Sequence, residues 1–535
     1  MPRSRQLLAA LLVAAAAVGC RPVDEGDGSA PRLVVVLVVD QLRYDYLVRY
    51  RELLTGGLDR LLDQGLSFTE AHHAHAMTAT APGHAALVTG QHPSRHGIIG
   101  NSWIDPWTHE MVYSVYDPVY GASPKLLESS TLGDWAKRAN RRTKVYAASR
   151  KDRSAVLLGG KRADAAFWYD SESGDFETNR YYRLRPPRWL ADFNELGLLA
   201  ARFGSPWEPL PLAPDSVAAA ELSEVPLGPL GTGFPHVAGG LSVEPSPGFF
   251  SGLAGTPFVD DHLEAFAEQI VLAADLGADA HVDVLGLSFS ALDAVGHRYG
   301  PDSREALDTL LRLDRSIGRL LAFLDDRVGA DHYVAGFSAD HGVMDMPEVR
   351  ESKGLAGRRV SPEETLCFQG LANDLSSTLG EGSWIERGRF FNRALAEEEG
   401  VAIERLEELA VAYLERCPGI ERVWTRSALA EAGDDDPKAL QFARNTHPER
   451  SPDLQLQFEE QYLPTRSIEA SHGSSHRYDS HVPLILWGAG VPAGNSSEPV
   501  WTVDLAPSLA ALAGIPTPED LAGRNLVSEV AGEAP

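Results

Sequence analysis

Positive charge is what this chain has least of. Its 535 residues carry 48 Lys and Arg against 75 Asp and Glu, a formal net charge of −27. That balance argues against binding nucleic acid and against docking on an anionic lipid surface. No basic arm, internal repeat or low-complexity tract is present. Long apolar runs are missing as well: the one N-terminal stretch, Leu7 to Val18, is too short for a comfortable membrane span. Cysteine is scarce, with three residues in all. Also absent is the Cys-x-Pro-x-Arg pattern that matures to formylglycine, since Cys417 is followed directly by Pro418, and no Ser-His-Asp order is evident.

The rest of the composition is that of a globular protein, 44% hydrophobic and 23% charged, with ample material for a core. Arg3 and Arg5 precede the short apolar stretch, which has the layout of an export signal. Its end, Ala17-Val18-Gly19-Cys20, resembles a bacterial lipobox. The expectation is a signal over residues 1–19, lipidation at Cys20, a polar tether over 20–31, and a periplasmic or outer-membrane location in a bacterium. Contact with membrane would then run only through the lipid anchor. Cys367 and Cys417 remain as thiols that an oxidising compartment permits to pair, and the sequence leaves open whether they do.

Leu33 to Asp40, "LVVVLVVD", is continuously apolar and β-branched, as in a strand buried on both faces of a parallel sheet. Similar runs occur at Val282 to Phe289, Tyr333 to Phe337 and Val482 to Trp487. Helical patterns lie between and after them, at Ser303 to Asp325 and Val503 to Ala513. The alternation predicts an α/β fold, a mostly parallel sheet flanked by helices. Two stretches break the rhythm and are expected to be insertions. One is about 168–259, rich in Pro, Gly and aromatics. The other is about 344–468, with a helix at Ile403 to Arg416 and a strand at Arg422 to Thr425, expected to form a cap. Together they place one catalytic domain over 32–530.

In such sheets, sites form beyond the carboxyl ends of strands. Asp40 closes the first run, Asp293 and His297 follow the second, and Asp340 and His341 follow the third. Each alone has a bland reading as a cap or a chance pair. Jointly they deliver three carboxylates and two imidazoles to one edge, a donor set suited to zinc. His481 sits just before the fourth run, which requires an antiparallel strand or a loop folding back to that edge. These six exceed one tetrahedral ion and suit two, with a vacancy that Thr80 can fill. Thr80 opens a helix in "TATAPGHAALVTG". A capping role is the bland alternative, whereas coordination would acidify its hydroxyl into a nucleophile.

The stretches "VVDQLRYDYL", "TATAPGHAALVTG", "HGIIGNSW", "SRKDRSA", "SALDAVGHRYGP", "SADHGVM" and "YDSHVPLILWG" run in order from Val38 to Gly488. In them the chain resembles the alkaline phosphatase superfamily. It is most similar to the PafA-like two-zinc enzymes with a threonine nucleophile, allied to the type I phosphodiesterase/nucleotide pyrophosphatase branch. The resemblance implies an alkaline-phosphatase-like sandwich with cap insertions, and two Zn²⁺. One zinc would be held by Asp293, His297 and His481, the other by Asp40, Asp340, His341 and the Thr80 oxygen. Thr80 would form a covalent phospho-threonine, and Asn101 would hydrogen-bond a phosphate oxygen. Lys151 and Arg153 match the lysine-x-arginine pair of the monoesterases, where a dianion needs extra cationic donors. The expected partners are small phosphate esters. A phosphodiesterase on the same scaffold is the runner-up, and a non-catalytic surface lipoprotein binding zinc or a polyanion the reading from another class. His72, His73, His75, His84, His472 and His476 are expected to pack or to brace the site rather than to ligate, and Arg150 to face solvent.

Overall fold

Every side chain of β1 (Leu33–Val39, LVVVLVV) is buried, because this strand lies mid-sheet with helices over both faces. The computed structural model describes residues 31–528 except 216–219, 221, 223–232, 239–243 and 468. The expected signal, the tether and Cys20 therefore fall outside the described residues, apart from position 31. Along the chain the other strands of the central sheet are β2 (Leu66–Phe68), β3 (Val145–Ser149), β4 (Ala165–Tyr169), β5 (Phe176–Glu177), β6 (Asp283–Phe289), β7 (Tyr333–Ser338), β8 (Leu484–Gly488) and β9 (Gly494–Ser496). They are ordered β5-β4-β3-β6-β1-β7-β8-β2-β9. The run from β4 to β7 is parallel throughout. β8 is antiparallel to both β7 and β2, and β5 is antiparallel to β4. The sheet is thus mostly parallel, as the apolar runs predict.

The period-2 geometry of β1 divides its side chains between two cores. Val34, Val36 and Val38 pack with α1 (Thr80–Thr89), α2 (Asp152–Gly159) and, near the C-terminus, Leu505 and Leu509. Leu33, Val35, Leu37 and Val39 pack with α3 (Phe258–Ala274), α4 (Ala291–Tyr299) and α5 (Arg304–Arg327). Burying each such aliphatic side chain contributes about 1.5–3 kcal/mol, which makes this strand the spine of the fold. Ser303 caps α5 by accepting the Ala306 N–H at 3.1 Å, while Leu310, Ile317 and Leu324 turn inward at helical spacing.

The two irregular stretches behave differently. Within 344–468, Leu371, Trp384, Phe391, Leu406, Leu414, Val423 and Leu454 form a core of their own. It includes α6 (Ile403–Leu414) and an antiparallel ribbon of Ile420–Thr425 with Leu454–Phe458. Cys367 and Cys417 are disulfide-bonded there, with Cα atoms 5.8 Å apart. Within 168–259, by contrast, Leu190, Phe193, Trp207 and Phe249 join the main core on the α3 side, and β5 extends the central sheet.

Candidate active site

The carboxyl edge of the parallel strands collects the polar side chains. Asp40 follows β1, its N–H bonded to the Phe289 carbonyl at 2.9 Å. Asp293 and His297 lie one turn apart on α4, with His297 Nε2 3.1 Å from Asp293 Oδ1. Asp340 and His341 follow β7, and His341 Nε2 lies 3.4 Å from Asp40 Oδ1 and 3.6 Å from Asp340 Oδ2. Gln41 sits at φ +68°, a left-handed conformation that costs a non-glycine residue about 1–2 kcal/mol. That backbone turns its N–H toward Asp340 Oδ1 at 3.1 Å and its side-chain amide toward Asp293 Oδ1 at 3.0 Å. One strained residue therefore orients two acids.

Thr80 is the first residue of α1 but not its cap: Ala79 holds that position and no side chain caps the helix. The Thr80 hydroxyl instead lies 3.3 Å from Lys151 Nζ and 3.4 Å from an Arg153 guanidinium nitrogen. Asn101 Oδ1 accepts the Ala81 N–H at 2.8 Å, which fixes the asparagine beside the helix start. The helix comes this close to the acids because of Gly83, where a Cβ would stand 2.1 Å from the Asp340 carbonyl oxygen. Behind it, buried His84 contacts the Thr80 carbonyl at 2.8 Å, Asp340 at 3.2 Å and Ser288 Oγ at 2.8 Å, a bracing role as expected.

Lys151 holds the centre, with Nζ 2.5 Å from Asp40 Oδ2 and 2.7 Å from Asp293 Oδ2. Burial and Asp293 both push the Asp40 carboxyl up, yet Lys151 and His341 outweigh them and hold it well below the usual carboxylate range. Asp293 is likewise held low: burial opposes ionisation, and Lys151 and His297 overcome it. His341 moves the other way. Burial disfavours its charge, but Asp340 and Asp40 push it up to about 9. Even so, buried Asp40 Oδ1, Asp340 Oδ2 and His341 Nε2 have no hydrogen-bond partner. Orphaned buried donors and acceptors of this kind are expensive unless something else binds them.

Among the described residues three groups of side chains converge closely enough to share an ion; one, Glu70 with His72 and His481, contains none of the strand-end acids, and the other two share Asp293. Asp40, Asp293 and His341 form one of these two, and Asp293, His297 and His472 the other, with ligand atoms within 4.8 Å of one another in each. Carboxylates with imidazoles fit zinc. His472 stacks on His341 with ring centroids 3.6 Å apart and reaches to 3.9 Å from Asp293 Oδ1.

Here the structure corrects the expectation for His481. The strand that follows it is antiparallel, so His481 does reach the right edge. Its ring, however, is not brought to Asp293 and His297: Nε2 bonds the Thr69 carbonyl at 2.8 Å and the ring lies on His72 at 4.6 Å. His472, assigned to packing, takes that place. Its loop is fastened by Asp479, which accepts the Ser474 N–H at 2.8 Å and hydroxyl at 2.6 Å. Arg150 also departs from expectation, being half-buried with a shielded Nε that lacks a partner. His73 and His476 bond main-chain carbonyls of Ala339 and Phe458, and His75 is buried outside all three ligand groups. Besides His472, the motifs did not single out Gln41 or Tyr113. The Tyr113 hydroxyl donates to Asp152 at 2.5 Å and accepts from Arg153 at 3.4 Å, steadying the guanidinium over Thr80.

The profile of the type I phosphodiesterase / nucleotide pyrophosphatase family matches residues 34–479, which contain all of these groups except His481. This chain belongs to that family. It is 30% identical to alkaline phosphatase PhoV of Synechococcus elongatus, over 92% of both chains. To alkaline phosphatase PafA of Elizabethkingia meningoseptica it is also 30% identical, over 94% of this chain and 95% of that one. The crystal structure of wild-type PafA superposes with a TM-score of 0.83 at 28% identity, covering 95% of this chain and 99% of that one. A PafA variant replaced at one threonine, one asparagine, one lysine and one arginine superposes at 0.85. The central sheet, its flanking helices and the cap thus form the fold of PafA, as the resemblance implied.

Proposed function

We propose that this chain is an alkaline phosphatase, a phosphate monoester hydrolase using Thr80 as nucleophile. The observation that carries this is the convergence of Lys151 and Arg153 on the Thr80 hydroxyl, at 3.3 and 3.4 Å. A monoester dianion seated there meets two cationic donors beside the attacking oxygen, which a diester monoanion needs less. Thr80 Oγ forms a bond to phosphorus as the ester P–O bond breaks, and the alcohol leaves with a proton. Water then cleaves the phospho-threonine, releasing inorganic phosphate and restoring the hydroxyl. Asn101, tied to the helix start, donates its amide to a non-bridging oxygen. Two zinc ions would be held by Asp40, Asp340, His341 and Thr80, and by Asp293, His297 and His472; they would supply the charge that acidifies the hydroxyl and favours the leaving oxygen. The relatives named alkaline phosphatases support this reading, as does the PafA variant, whose four replaced residue types match Thr80, Asn101, Lys151 and Arg153 in order.

Export with a lipid on Cys20 belongs to the same proposal, supported by the N-terminal sequence. No helix among the described residues is long and apolar enough to cross a membrane. The test is zinc-supplemented hydrolysis of phenyl phosphate and of a matched diester from pH 6 to 10, with wild type, Thr80→Ala and Lys151→Ala. Thr80→Ala should abolish turnover of both esters, and Lys151→Ala should cost the monoester about 10²–10³-fold while diester turnover survives. A wild type that prefers the diester overturns the monoesterase reading.

A further inference from the structure

Beside the site lies a cavity of about 690 Å³ between the sheet edge and the cap. Its floor includes Asn101 and His472, and Phe390, Phe442 and Tyr462 give it aromatic walls. Thr80, Lys151, Arg153, Asp293 and His297 do not line it, and it meets the reaction centre through His472 and Asn101. Arg389 of the cap also lines it. That side chain is open to the cavity, yet enough protein surrounds it that burial lowers its pKa, with no carboxylate near to offset this. It makes no hydrogen bond or ion pair with another described residue. Its neighbours on the same rim are engaged: Arg387 bonds the His109 carbonyl at 3.2 Å, and Arg450 is bonded to Glu128 at 2.5 Å.

An exposed guanidinium without a partner among the described residues, on a rim whose other arginines are engaged, is free to take up an anion, and it stands out in a chain with far more acids than bases. We infer that this cavity receives the leaving group of the substrate, and that Arg389 selects leaving groups carrying a carboxylate or a second phosphate on an aromatic or similarly flat body. The inference rests on the monoesterase reading, in which the Asp293–His297–His472 group faces the departing oxygen. Arg389 would hold the second anion by a two-pronged guanidinium contact, and the aromatic walls would take the ring between.

The test compares phenyl phosphate with 4-carboxyphenyl phosphate and 4-carbamoylphenyl phosphate, using zinc-loaded wild type and Arg389→Gln. Taking mutant-to-wild-type ratios of kcat/KM for each ester cancels the differences in leaving-group acidity. The expected result is a loss of about tenfold or more for the carboxylate ester, with the other two changed less than twofold. An equal effect on all three overturns the inference. Calorimetric binding of 4-hydroxybenzoate against 4-hydroxybenzamide provides a readout that needs no turnover. Carboxylate-selective binding lost in Arg389→Gln, in a protein that hydrolyses none of the esters, would sustain the anion site and sink the monoesterase reading. Monoester turnover without such binding or selectivity would do the reverse.

Discussion

His472 and His481 sit in neighbouring loops at one sheet edge, yet hydrogen bonding decides between them. His481 Nε2 is committed to the Thr69 carbonyl and its ring to His72. His472 directs Nδ1 to the Thr78 carbonyl at 2.9 Å, leaving Nε2 on the Asp293 side. Second bonds of this kind set which ring nitrogen faces a metal. Titrating the metal-free protein with zinc should therefore give two ions per chain for wild type and for His481→Ala. His472→Ala should hold one tightly and the other at least about 10²-fold more weakly. His481→Ala should show its cost in a lower melting temperature, through the lost packing on His72 and Tyr44. Loss of one zinc from His481→Ala, with His472→Ala unaffected, would restore the assignment made from the motif alone.

At the scale of elements, legibility followed length and burial. β1, β6 and β7 read clearly because each is a continuous apolar run buried on both faces. Their following acids could be placed at the edge for the same reason. β2 and β9 have three residues each; β2 pairs with β8 and β9 with β2, so their stability is borrowed from neighbours and nothing local marks them. The direction of β8 was equally hidden, since a run of Leu, Ile and Trp has no sense until its neighbour is known. Gln41 escaped notice because its role comes from φ, and His472 because its role comes from a loop fastened by Asp479. The disulfide was left open by the sequence, and geometry closed it. Cys367 and Cys417 stand 50 positions apart and close a loop through the cap core, which the chain-entropy model converts to about 4 kcal/mol. Cys367→Ser should accordingly raise amide exchange in the cap helices and ribbon by orders of magnitude, with β1, β6 and β7 still protected. Uniform loss of protection across cap and sheet would mean that the cap has no stability of its own.

For the molecule as a whole, the acid excess has to be accommodated in the interior as well as at the surface. At the start of α3, Asp260 is buried and accepts the N–H groups of Ser290 and Ala291 at 3.0 and 3.1 Å, which sets the entry to α4. Burial pushes its carboxyl up to about 7; those two bonds pull it down, while Asp261 raises it further and Arg150 only partly counters. The folded protein thus binds a proton there more tightly than the unfolded chain, whose aspartates titrate near 3.9. Stability from this group is fully present below that value and is lost as pH rises through 7, by on the order of 4 kcal/mol in all. Asp260→Asn keeps an oxygen for the two N–H groups and removes the titration. In urea denaturation the variant should gain on wild type steadily from pH 5 to 8 and level off above that. The wild type would owe part of its alkaline instability to one carboxylate at the root of the helix that carries Asp293 and His297. If the two proteins instead keep a constant difference across that range, the carboxylate is already ionised at pH 5, and the two main-chain N–H bonds outweigh burial.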